Sequence, residues 1–375
     1  MIQHKAVTDY FYGVIDKTNI LDCSSFGLTS TIATDLGNTV IYTSLLIGGS
    51  LYVFSNDEST NPKKLSQVSI DCFKMVPSHW KVLQQKETLF VPNKCLILGG
   101  EQFTQDIKKL IVSNKVDCQV YNHYGPTETT IGKLIKKISF KEYSQRPIPL
   151  GVPFGNTKIF ILDSRKNVCP IGVSGELCIG GAGLARGYLN RPDLTSEKFI
   201  KNPFSNQKEA RLYRTGDLAR WLPDGNIEYL GRIDDQVKIR GYRIELGEIE
   251  HVLQENPLVK QAVVIASADT NGSDRLVAYI VAVDDFDKDS IRLFLKDRLP
   301  DYMVPQIYVK LDAIPLTNNG KIDKKSLPVA NVREGLDKEY VAPKSDIEKQ
   351  LCQIWKDLLG LERVGIHDNF FELGG

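Results

Sequence analysis

GRIDDQVKIRGYRIELGEIE, residues 231–250, is the stretch at which the pattern of this 375-residue sequence changes. Short β-rich runs separated by Gly, Pro and Asp-Gly turns precede it and predict a mainly antiparallel region. After Arg243 the pattern predicts a compact α+β unit, with helices at Leu246–Gln254 and Ser290–Leu299 and strands at Val259–Ala268 and Leu276–Val283. The stretch therefore predicts that the chain passes here from one folding unit to another.

Two further patterns lie on the N-terminal side of this stretch. Strand-like runs at 70–76 and 95–98 flank a helix that starts at Ser78, and this alternation is typical of an α/β layer. Antiparallel strands are then predicted at Lys158–Asp163, Gly175–Ile179, Leu212–Tyr213 and Asn226–Leu230. Pro223-Asp224-Gly225-Asn226 predicts a hairpin turn, because Gly and Asn tolerate the positive φ that such turns need.

The pattern divides the chain into four segments. Residues 1–233 and 234–328 are predicted to form a large and a small domain, and 329–344, which have little apolar periodicity, a linker. At 345–375 a third unit begins, with helical spacing of Ile347, Leu351, Ile354, Trp355, Leu358 and Leu359. The expected fold class is therefore α/β plus α+β, followed by the start of a helical domain.

Composition excludes several classes of partner. With 47 Lys and Arg against 46 Asp and Glu, the formal charge is +1, so no basic surface for nucleic acid is expected. No apolar window approaches the roughly 18 residues of a membrane span, and the N-terminus carries no secretion signal. Seven scattered cysteines without a CxxC pair indicate reduced, mostly buried thiols in a cytoplasmic protein rather than a disulfide framework or zinc site.

The first dense polar cluster is Tyr121-Asn122-His123-Tyr124-Gly125-Pro126-Thr127-Glu128. Such a turn can place its aromatic ring on a base, its hydroxyl on a phosphate and its carboxylate on Mg²⁺. Taken alone, a segment of this kind is more often a turn without function. Two later clusters favour the functional interpretation: the YRTGDL segment, in which Asp217 could accept two ribose hydroxyls, and residues 231–243.

Six motifs, in this order, resemble the adenylation domain of non-ribosomal peptide synthetases, within the adenylate-forming superfamily. They are YGPTE at 124–128, GELCIGGAGLARGYLNRPDLTSEKF at 175–199, YRTGDLAR at 213–220, GRIDDQVKIRGYRIELGEIE at 231–250, LPDYMVP at 299–305 and NGKIDKKSL at 319–327. The resemblance implies the adenylate-forming fold, with a partial large domain made of an α/β layer and a distorted β-barrel, and a small α+β domain. DNFFELGG at 368–375 resembles the entry to a peptidyl carrier domain.

The resemblance also implies a site for ATP, Mg²⁺ and an amino acid. Adenylation joins two anions, a carboxylate and a phosphate, so the site needs positive charge and fixed donors. The implied catalytic residues are Lys321, which bridges the substrate carboxylate and the phosphate, Thr127 at the α-phosphate, and Glu128 on Mg²⁺. The implied nucleotide-binding residues include Tyr124, which would stack on the adenine, and Asp217, which would bind the ribose hydroxyls. The others are Arg232, Asn122 and Gly125.

Asp234 resembles the hinge about which the small domain swings between adenylation and thiolation. Gly241 and Arg243 would lie on the loop that turns towards the carrier arm. The alternative for Asp234 is a surface residue that caps a turn. The family's phosphate loop would precede His4 and its phosphopantetheine-bearing Ser would follow Gly375, so the chain is expected to be an internal piece of a longer synthetase, inactive alone, with neighbouring modules as partners.

Alignment with the family's specificity pocket gives the lining Asp35, Leu36, Thr39, Lys74, Ile97, Gly99, His123, Ile131, Gly132 and Lys321. In that family pattern Asp35 pairs with the substrate α-ammonium, which marks an α-amino acid. Lys74 and a potentially cationic His123 would face the substrate side chain, while the two glycines leave room. Because an enclosed positive charge calls for an anionic partner, the pocket predicts L-aspartate. The lining also resembles the family pattern associated with aspartate.

Several alternatives stay open. Glutamate and β-substituted aspartates remain candidates, since one methylene is worth only about 1–3 kcal/mol. Lys74 could instead extend to solvent, and His123 could be a core histidine. The chain could also be a non-catalytic remnant or docking segment, or a relative of acyl-CoA synthetases, although Asp35 and the carrier-like C-terminus disfavour that relative.

Overall fold

The computed structural model describes residues 1–84, 89–114, 116–139, 147–239, 241–268, 274–283, 286–316, 322–328, 340–359 and 363–368. Contacts within the chain divide it into two compact units, Met1–Asp234 and Asp235–Gly375. All seven cysteines are buried, as predicted, and the structure has no disulfide among them. In the described part of the chain, no helix is both long and apolar enough to cross a membrane.

The first unit begins with an α/β layer. Its elements are α1 His4–Lys17, β1 Ser25–Leu28, α2 Asn38–Ile47, β2 Ser50–Val53, α3 Asn56–Ser59, α4 Pro62–Leu65, β3 Cys72–Met75, α5 Pro77–Val82, β4 Cys95–Gly99, α6 Gln105–Ser113, β5 Gln119–Tyr124, β6 Leu134–Lys137 and β7 Val152–Pro153. The strands form one sheet in the order β2-β1-β3-β4-β5-β6-β7. Its first five strands are parallel and the last two antiparallel.

The two faces of this sheet pack against different helices. Phe73, Leu96 and Val120 face a core that includes Trp80 of α5 and Ile107 of α6. The opposite face carries Cys72, Ile97 and Tyr121, which pack with Tyr10 and Phe11 of α1 and Val40 of α2. Since side chains alternate along a strand, every second residue of β3, β4 and β5 lies under α1 and α2.

A second sheet completes this unit. Its strands are β8 Thr157–Leu162, β9 Gly175–Gly181, β10 Phe199–Lys201, β11 Arg211–Trp221 and β12 Ile227–Arg232, with α7 Pro192–Lys198 preceding β10. The order is β10-β11-β9-β8, with β12 paired to β11. The predicted hairpin turn is confirmed: Trp221 pairs with Ile227, and Gly225 between them has a φ of 78°.

The second unit is α+β, as the sequence predicts. Its elements are β13 Val237–Ile239, β14 Tyr242–Ile244, α8 Leu246–Gln254, β15 Val259–Ala268, β16 Asp274–Ala282, α9 Lys288–Lys296, β17 Ile307–Lys310 and α10 Asp346–Leu359. Helix α9 begins two residues before the predicted start, because the Asp287 carboxylate caps it by accepting from the amides of Asp289 and Ser290. Most of the predicted linker, residues 329–339, lies outside the described residues.

Candidate active site

One face of the parallel sheet carries four of the ten residues predicted to line the specificity pocket. Lys74 pairs in register with Ile97, and Gly99 with His123, so these four residues project from the same face of β3, β4 and β5. All four lie near the carboxyl ends of their strands, where open α/β sheets bind ligands. Helices α1 and α2 cover this face, and we call the buried region between these helices and the strand ends the recess.

A buried chain of polar contacts crosses this recess. The Lys74 ammonium donates to Thr39 Oγ1 at 2.9 Å, and the Thr39 hydroxyl lies 2.7 Å from the Tyr10 hydroxyl. The Tyr10 oxygen is 3.3 Å from Nε2 of His123. Lys74 is 2% exposed and His123 is 3% exposed, so neither extends to solvent or lies at the surface. The alternative in which Lys74 reaches solvent is therefore wrong.

Burial sets the charge states in this recess. It lowers the pKa of the Lys74 ammonium to about 8, against the opposing effect of the nearby Asp35 carboxylate. Burial also holds the pKa of His123 well below its usual value, and the ammonium groups of Lys74 and Lys133 act in the same direction. The prediction of a potentially cationic His123 is therefore wrong: the imidazole is neutral, and among the described residues of the predicted pocket Lys74 supplies the positive charge.

The two pocket glycines have a different role from the one predicted. A Cβ on Gly132 would lie 2.1 Å from Cε1 of His123, and a Cβ on Gly99 would lie 2.5 Å from the His123 carbonyl oxygen. The space that these glycines leave is occupied by His123 itself, and it is not room for a substrate. Gly132 allows the imidazole to approach its backbone closely, and Gly99 allows close approach of the His123 backbone.

The remaining pocket residues lie on two loops. Asp35 and Leu36 are half-buried just before α2, and the Asp35 carbonyl oxygen accepts from the Asn38 amide at 3.1 Å. The Asp35 Oδ2 atom is buried and has no hydrogen-bond partner among the described residues. Ile131 is buried in the loop before β6, with an unusual φ of 64° for a branched residue. Lys321 lies outside the described residues.

A second cluster joins most of the predicted nucleotide-binding residues. The Tyr124 hydroxyl donates to Oδ2 of Asp217, while Nη1 of Arg232 lies 2.7 Å from Oδ1 of the same carboxylate. Arg232 also holds Asp234 through two contacts, Nε to Oδ1 at 2.6 Å and Nη2 to Oδ2 at 2.7 Å. Gly216 permits this packing, because a Cβ there would lie 2.6 Å from the Asp234 carboxylate. The arginine fork thus links the predicted ribose site to the predicted hinge residue.

Tyr124 and His123 point to opposite sides because they are neighbours in β5. The recess with Lys74 is on the face under α1 and α2, whereas Tyr124 packs in a separate core with Leu134 and Ile161. Burial and the Asp217 carboxylate raise the pKa of Tyr124 far above its usual value, so the phenol remains a donor. A single strand therefore contributes residues to both predicted subsites.

The predicted phosphate and metal residues lie in the 3₁₀ turn that follows β5. Thr127 is exposed, whereas Glu128 is buried and accepts from the Tyr188 hydroxyl at 2.6 Å. Asn122 lies within β5 and donates from its amide to the Pro149 carbonyl at 2.8 Å. Gly125 packs against Gly132, since a Cβ there would lie 2.3 Å from the Gly132 Cα. The turn therefore holds the Glu128 carboxylate firmly and leaves Thr127 accessible.

The single carboxylate of Glu128 fits the way in which proteins bind Mg²⁺. Among the described residues, no group of three or more His, Cys, Asp or Glu side chains could hold a metal ion, so no protein cage exists there. Mg²⁺ does not require one, because it is usually held by one or two carboxylates together with substrate phosphates and water. The buried, hydrogen-bonded Glu128 carboxylate fits that requirement.

The second unit contains the other two residues predicted for the moving domain. Gly241 precedes β14 and has a φ of 80°, which favours glycine. Arg243 pairs in register with Lys238 of β13, and its Nε lies 3.9 Å from a carboxylate oxygen of Glu245.

Sequence reasoning missed four residues that support these subsites. Tyr10 has no motif around it, and its only signal is the apolar spacing of α1. Tyr188 lies within a motif that the sequence does show, but nothing in the pattern assigns it to Glu128. Asp9 and Lys133 form a buried ion pair at 2.6 Å, with exposed fractions of 8% and 1%. They are far apart in the sequence, so no local pattern predicts the pair.

Comparison with protein families identifies the class of protein to which the chain belongs. The family model described as AMP-binding enzyme matches residues 1–189, and the model described as AMP-binding enzyme C-terminal domain matches residues 248–321. The chain belongs to the AMP-binding enzyme family.

Named relatives are peptide synthetases. Bacitracin synthase 3 of Bacillus licheniformis is 44% identical over 353 residues, which cover 93% of this chain and 6% of the synthase. A solved four-domain nonribosomal peptide synthetase, bound to AMP and glycine, is 35% identical with a TM-score of 0.56; the match covers 100% of this chain and 28% of the other. A second solved synthetase, with adenylation and PCP domains and a vinylsulfonamide inhibitor, is 25% identical with a TM-score of 0.75, covering 93% and 58%.

These matches confirm the predicted resemblance to adenylation domains of non-ribosomal peptide synthetases and the predicted adenylate-forming fold. The chain spans less than two thirds of the length of each of these relatives.

Proposed function

We propose that this chain activates L-aspartate. In the proposed reaction ATP and aspartate give aspartyl-AMP and pyrophosphate, and the aspartyl group then passes to the phosphopantetheine thiol of a carrier domain. The proposal combines the family membership with the buried Lys74 ammonium and the nearby half-buried Asp35 carboxylate.

The observation that carries the choice of substrate is the Lys74 ammonium. It is buried, and Thr39 is its one hydrogen-bond partner within the described part of the chain. An ammonium has three donors, so two remain for a ligand. A buried cation with one neutral partner is costly, whereas a carboxylate in the recess would compensate its charge. Aspartate supplies such a carboxylate on its side chain.

Asp35 supports the assignment of an α-amino acid. Its Oδ2 atom is buried without a hydrogen-bond partner among the described residues, and its charge acts on the Lys74 ammonium. An unsatisfied buried acceptor costs about 1–3 kcal/mol, which a substrate ammonium would recover. The recess therefore offers an acceptor for the α-ammonium and a donor for a side-chain carboxylate.

The nucleotide would lie at the second cluster. We assign the ribose hydroxyls to Asp217, whose carboxylate has lone pairs beyond those used by Tyr124 and Arg232. The Tyr124 ring is assigned to the adenine, with Asn122 and Gly125 shaping the turn behind it. Glu128 would hold Mg²⁺ together with the phosphates, and when bound the ion would neutralise phosphate charge.

The chemical step joins two anions. An oxygen of the substrate α-carboxylate attacks the α-phosphorus of ATP, a new P–O bond forms, and the bond to pyrophosphate breaks. Thr127 is assigned to the α-phosphate, where its exposed hydroxyl can donate to the growing negative charge. Lys321 is assigned to the bridge between carboxylate and phosphate, and this assignment rests on its motif alone.

The transfer step is proposed on the same family pattern. Asp234 would be the hinge of the small domain, residues 234–328, and Gly241 and Arg243 would face the incoming thiol. Residues 345–375 would begin the carrier domain, which is the expected partner together with neighbouring synthetase modules. The contact between Asp234 and Arg232 supports a link between this hinge and the ribose site.

Exchange of labelled pyrophosphate into ATP tests the proposed function. The assay uses the natural polypeptide that carries these residues and compares all common amino acids. We expect aspartate to give the highest rate, and glutamate to be slower by about 10- to 200-fold for one extra methylene. A preference for an apolar amino acid would refute the substrate, and the absence of exchange with any amino acid would favour the non-catalytic alternative.

A further inference from the structure

Tyr10 lies at the centre of the polar chain in the recess, although it belongs to none of the motifs. Its side chain is 0% exposed, and its hydroxyl lies 2.7 Å from Thr39 Oγ1 and 3.3 Å from His123 Nε2. The Lys74 ammonium is 6.0 Å from the centre of the Tyr10 ring. This one residue therefore contacts two residues of the predicted pocket and lies near a third.

The donors and acceptors in this chain of hydrogen bonds determine the direction in which each bond is donated. The Lys74 ammonium can only donate, so Thr39 Oγ1 accepts from it. The Thr39 proton can then go to the Tyr10 oxygen, and the Tyr10 proton to Nε2 of His123. In this arrangement each hydroxyl proton has an acceptor, and one of the three ammonium protons is bound. It also makes Nε2 of the neutral imidazole the acceptor, which leaves the ring proton on Nδ1.

We propose that Tyr10 is a positioning residue for substrate selection: its hydroxyl fixes the Thr39 hydroxyl and the His123 ring so that the Lys74 ammonium points at the side-chain carboxylate of the substrate. The inference rests on the proposed function, because it assigns Tyr10 to the recognition of aspartate. Tyr10 itself does not touch the reacting atoms.

Helix α1 is held in place immediately beside Tyr10. Asp9 forms its buried ion pair with Lys133 at 2.6 Å and accepts from the Asn156 amide at 2.8 Å. Lys133 follows the loop that carries Ile131 and Gly132. The helix that carries Tyr10 is thus tied to the loop that lines the recess, so the Tyr10 hydroxyl has a fixed position relative to His123.

The titratable and charged groups around these hydrogen-bonded residues decide how the Lys74 ammonium responds to pH. Lys74 is influenced by the Asp35 carboxylate before α2 and by the Cys72 thiol of β3, in addition to Tyr10 of α1. His123 is influenced by Lys74 and Lys133. Chains of hydrogen bonds strengthen one another in a low-dielectric interior. Loss of the Tyr10 hydroxyl would therefore make Thr39 a weaker acceptor for the Lys74 ammonium and favour its neutral form.

Tyr10→Phe tests the proposal, because it removes the hydroxyl and keeps the ring. Tyr12→Phe is the matched control, since Tyr12 is on the same helix and its side chain is 70% exposed. In the natural polypeptide, we expect Tyr10→Phe to raise the KM for aspartate about tenfold, as for the loss of one buried hydrogen bond. The KM for ATP and kcat should stay within about twofold, and the alkaline limb of kcat/KM for aspartate should move to lower pH.

Thr39→Val supplies a second test, which can be interpreted even if Tyr10→Phe is less stable than the wild-type protein. If Tyr10 acts through Thr39, the losses in Tyr10→Phe and Thr39→Val should not add in the double variant. Additive losses, or a Tyr10→Phe enzyme that behaves like Tyr12→Phe, would overturn the proposal, as would an equal fall in kcat and in the affinity for ATP. Wild-type enzyme that fails to activate aspartate would instead overturn the proposed function and this inference with it.

Discussion

The Lys74 ammonium and the Thr39 hydroxyl are 2.9 Å apart, and both side chains are almost completely buried. The first comes from a strand of the parallel sheet and the second from the helix that covers it. This contact joins the strand to the helix and orients the Lys74 ammonium within the recess. The recognition of a carboxylate by this cation has consequences that can be measured.

The first prediction concerns pH. The free-enzyme pKa of Lys74 is lowered to about 8, so the ammonium that binds the substrate carboxylate is present below that pH and is lost as the pH rises through it. We therefore expect kcat/KM for aspartate to fall about tenfold per unit above that pH, because kcat/KM reports the free enzyme. The control is the Lys74→Met variant assayed with asparagine. Asparagine also has an α-ammonium but no side-chain carboxylate, and the pH profile of this pair should lack the alkaline limb.

The second prediction concerns the arginine fork between the ribose site and the hinge. Arg232→Lys keeps the charge but removes the planar fork, whose nitrogens donate once to Asp217 and twice to Asp234. We expect the KM for ATP to rise about tenfold or more, as for a hydrogen bond between charged groups. Arg220→Lys is the control, because Arg220 pairs with Glu228 at 2.6 Å on the same two strands. Equal effects of the two variants would contradict the role of Arg232.

The third prediction concerns Mg²⁺. Tyr188→Phe removes the hydroxyl that holds Oε1 of Glu128 at 2.6 Å, so the carboxylate becomes less fixed. We expect the Mg²⁺ concentration for half-maximal pyrophosphate exchange to rise by about two- to tenfold, with the rate recovered at high Mg²⁺. Tyr12→Phe again serves as the control. If Tyr188→Phe leaves the required Mg²⁺ concentration unchanged, Tyr188 does not contribute to metal binding.

The fourth prediction concerns stability. Asp9→Asn leaves the buried Lys133 ammonium without its counter-charge, and a broken buried pair costs about 3–5 kcal/mol of unfolding free energy. Asp16→Asn is the matched control on the same helix, where Asp16 meets Lys17 at 2.9 Å with 64% of its side chain exposed. Such an exposed pair should change stability by less than about 1 kcal/mol. Denaturant titration measures both, and similar losses would refute the structural importance of the buried pair.

The local elements could be predicted because their signals are local. The turn at 223–226 carries its own conformational preference, and Leu246–Gln254 has apolar residues at helical spacing; both are confirmed. The start of α9 was misplaced because the capping carboxylate of Asp287 lies outside the apolar pattern. The motifs likewise suffice for the family, since six ordered segments do not depend on packing.

The interior of the site could not be predicted in the same way. Lys74, Gly99 and His123 were assigned to one recess from the family pattern, and the strand register places them on one face. The charge of His123 depends on burial beside two lysines, which no local pattern encodes. The role of Tyr10 likewise depends on how α1 packs over the sheet. Long-range packing, rather than residue type, decides these properties.

The most direct test of the account compares aspartate with asparagine in wild-type enzyme and in Lys74→Met. The two substrates have nearly the same shape. The ratio of their kcat/KM values therefore isolates the effect of the side-chain charge that Lys74 is proposed to recognise. We expect wild-type enzyme to favour aspartate by at least about 100-fold, and Lys74→Met to lose most of that preference. A wild-type enzyme indifferent to the two substrates, or a Lys74→Met enzyme with the full preference, would contradict the account.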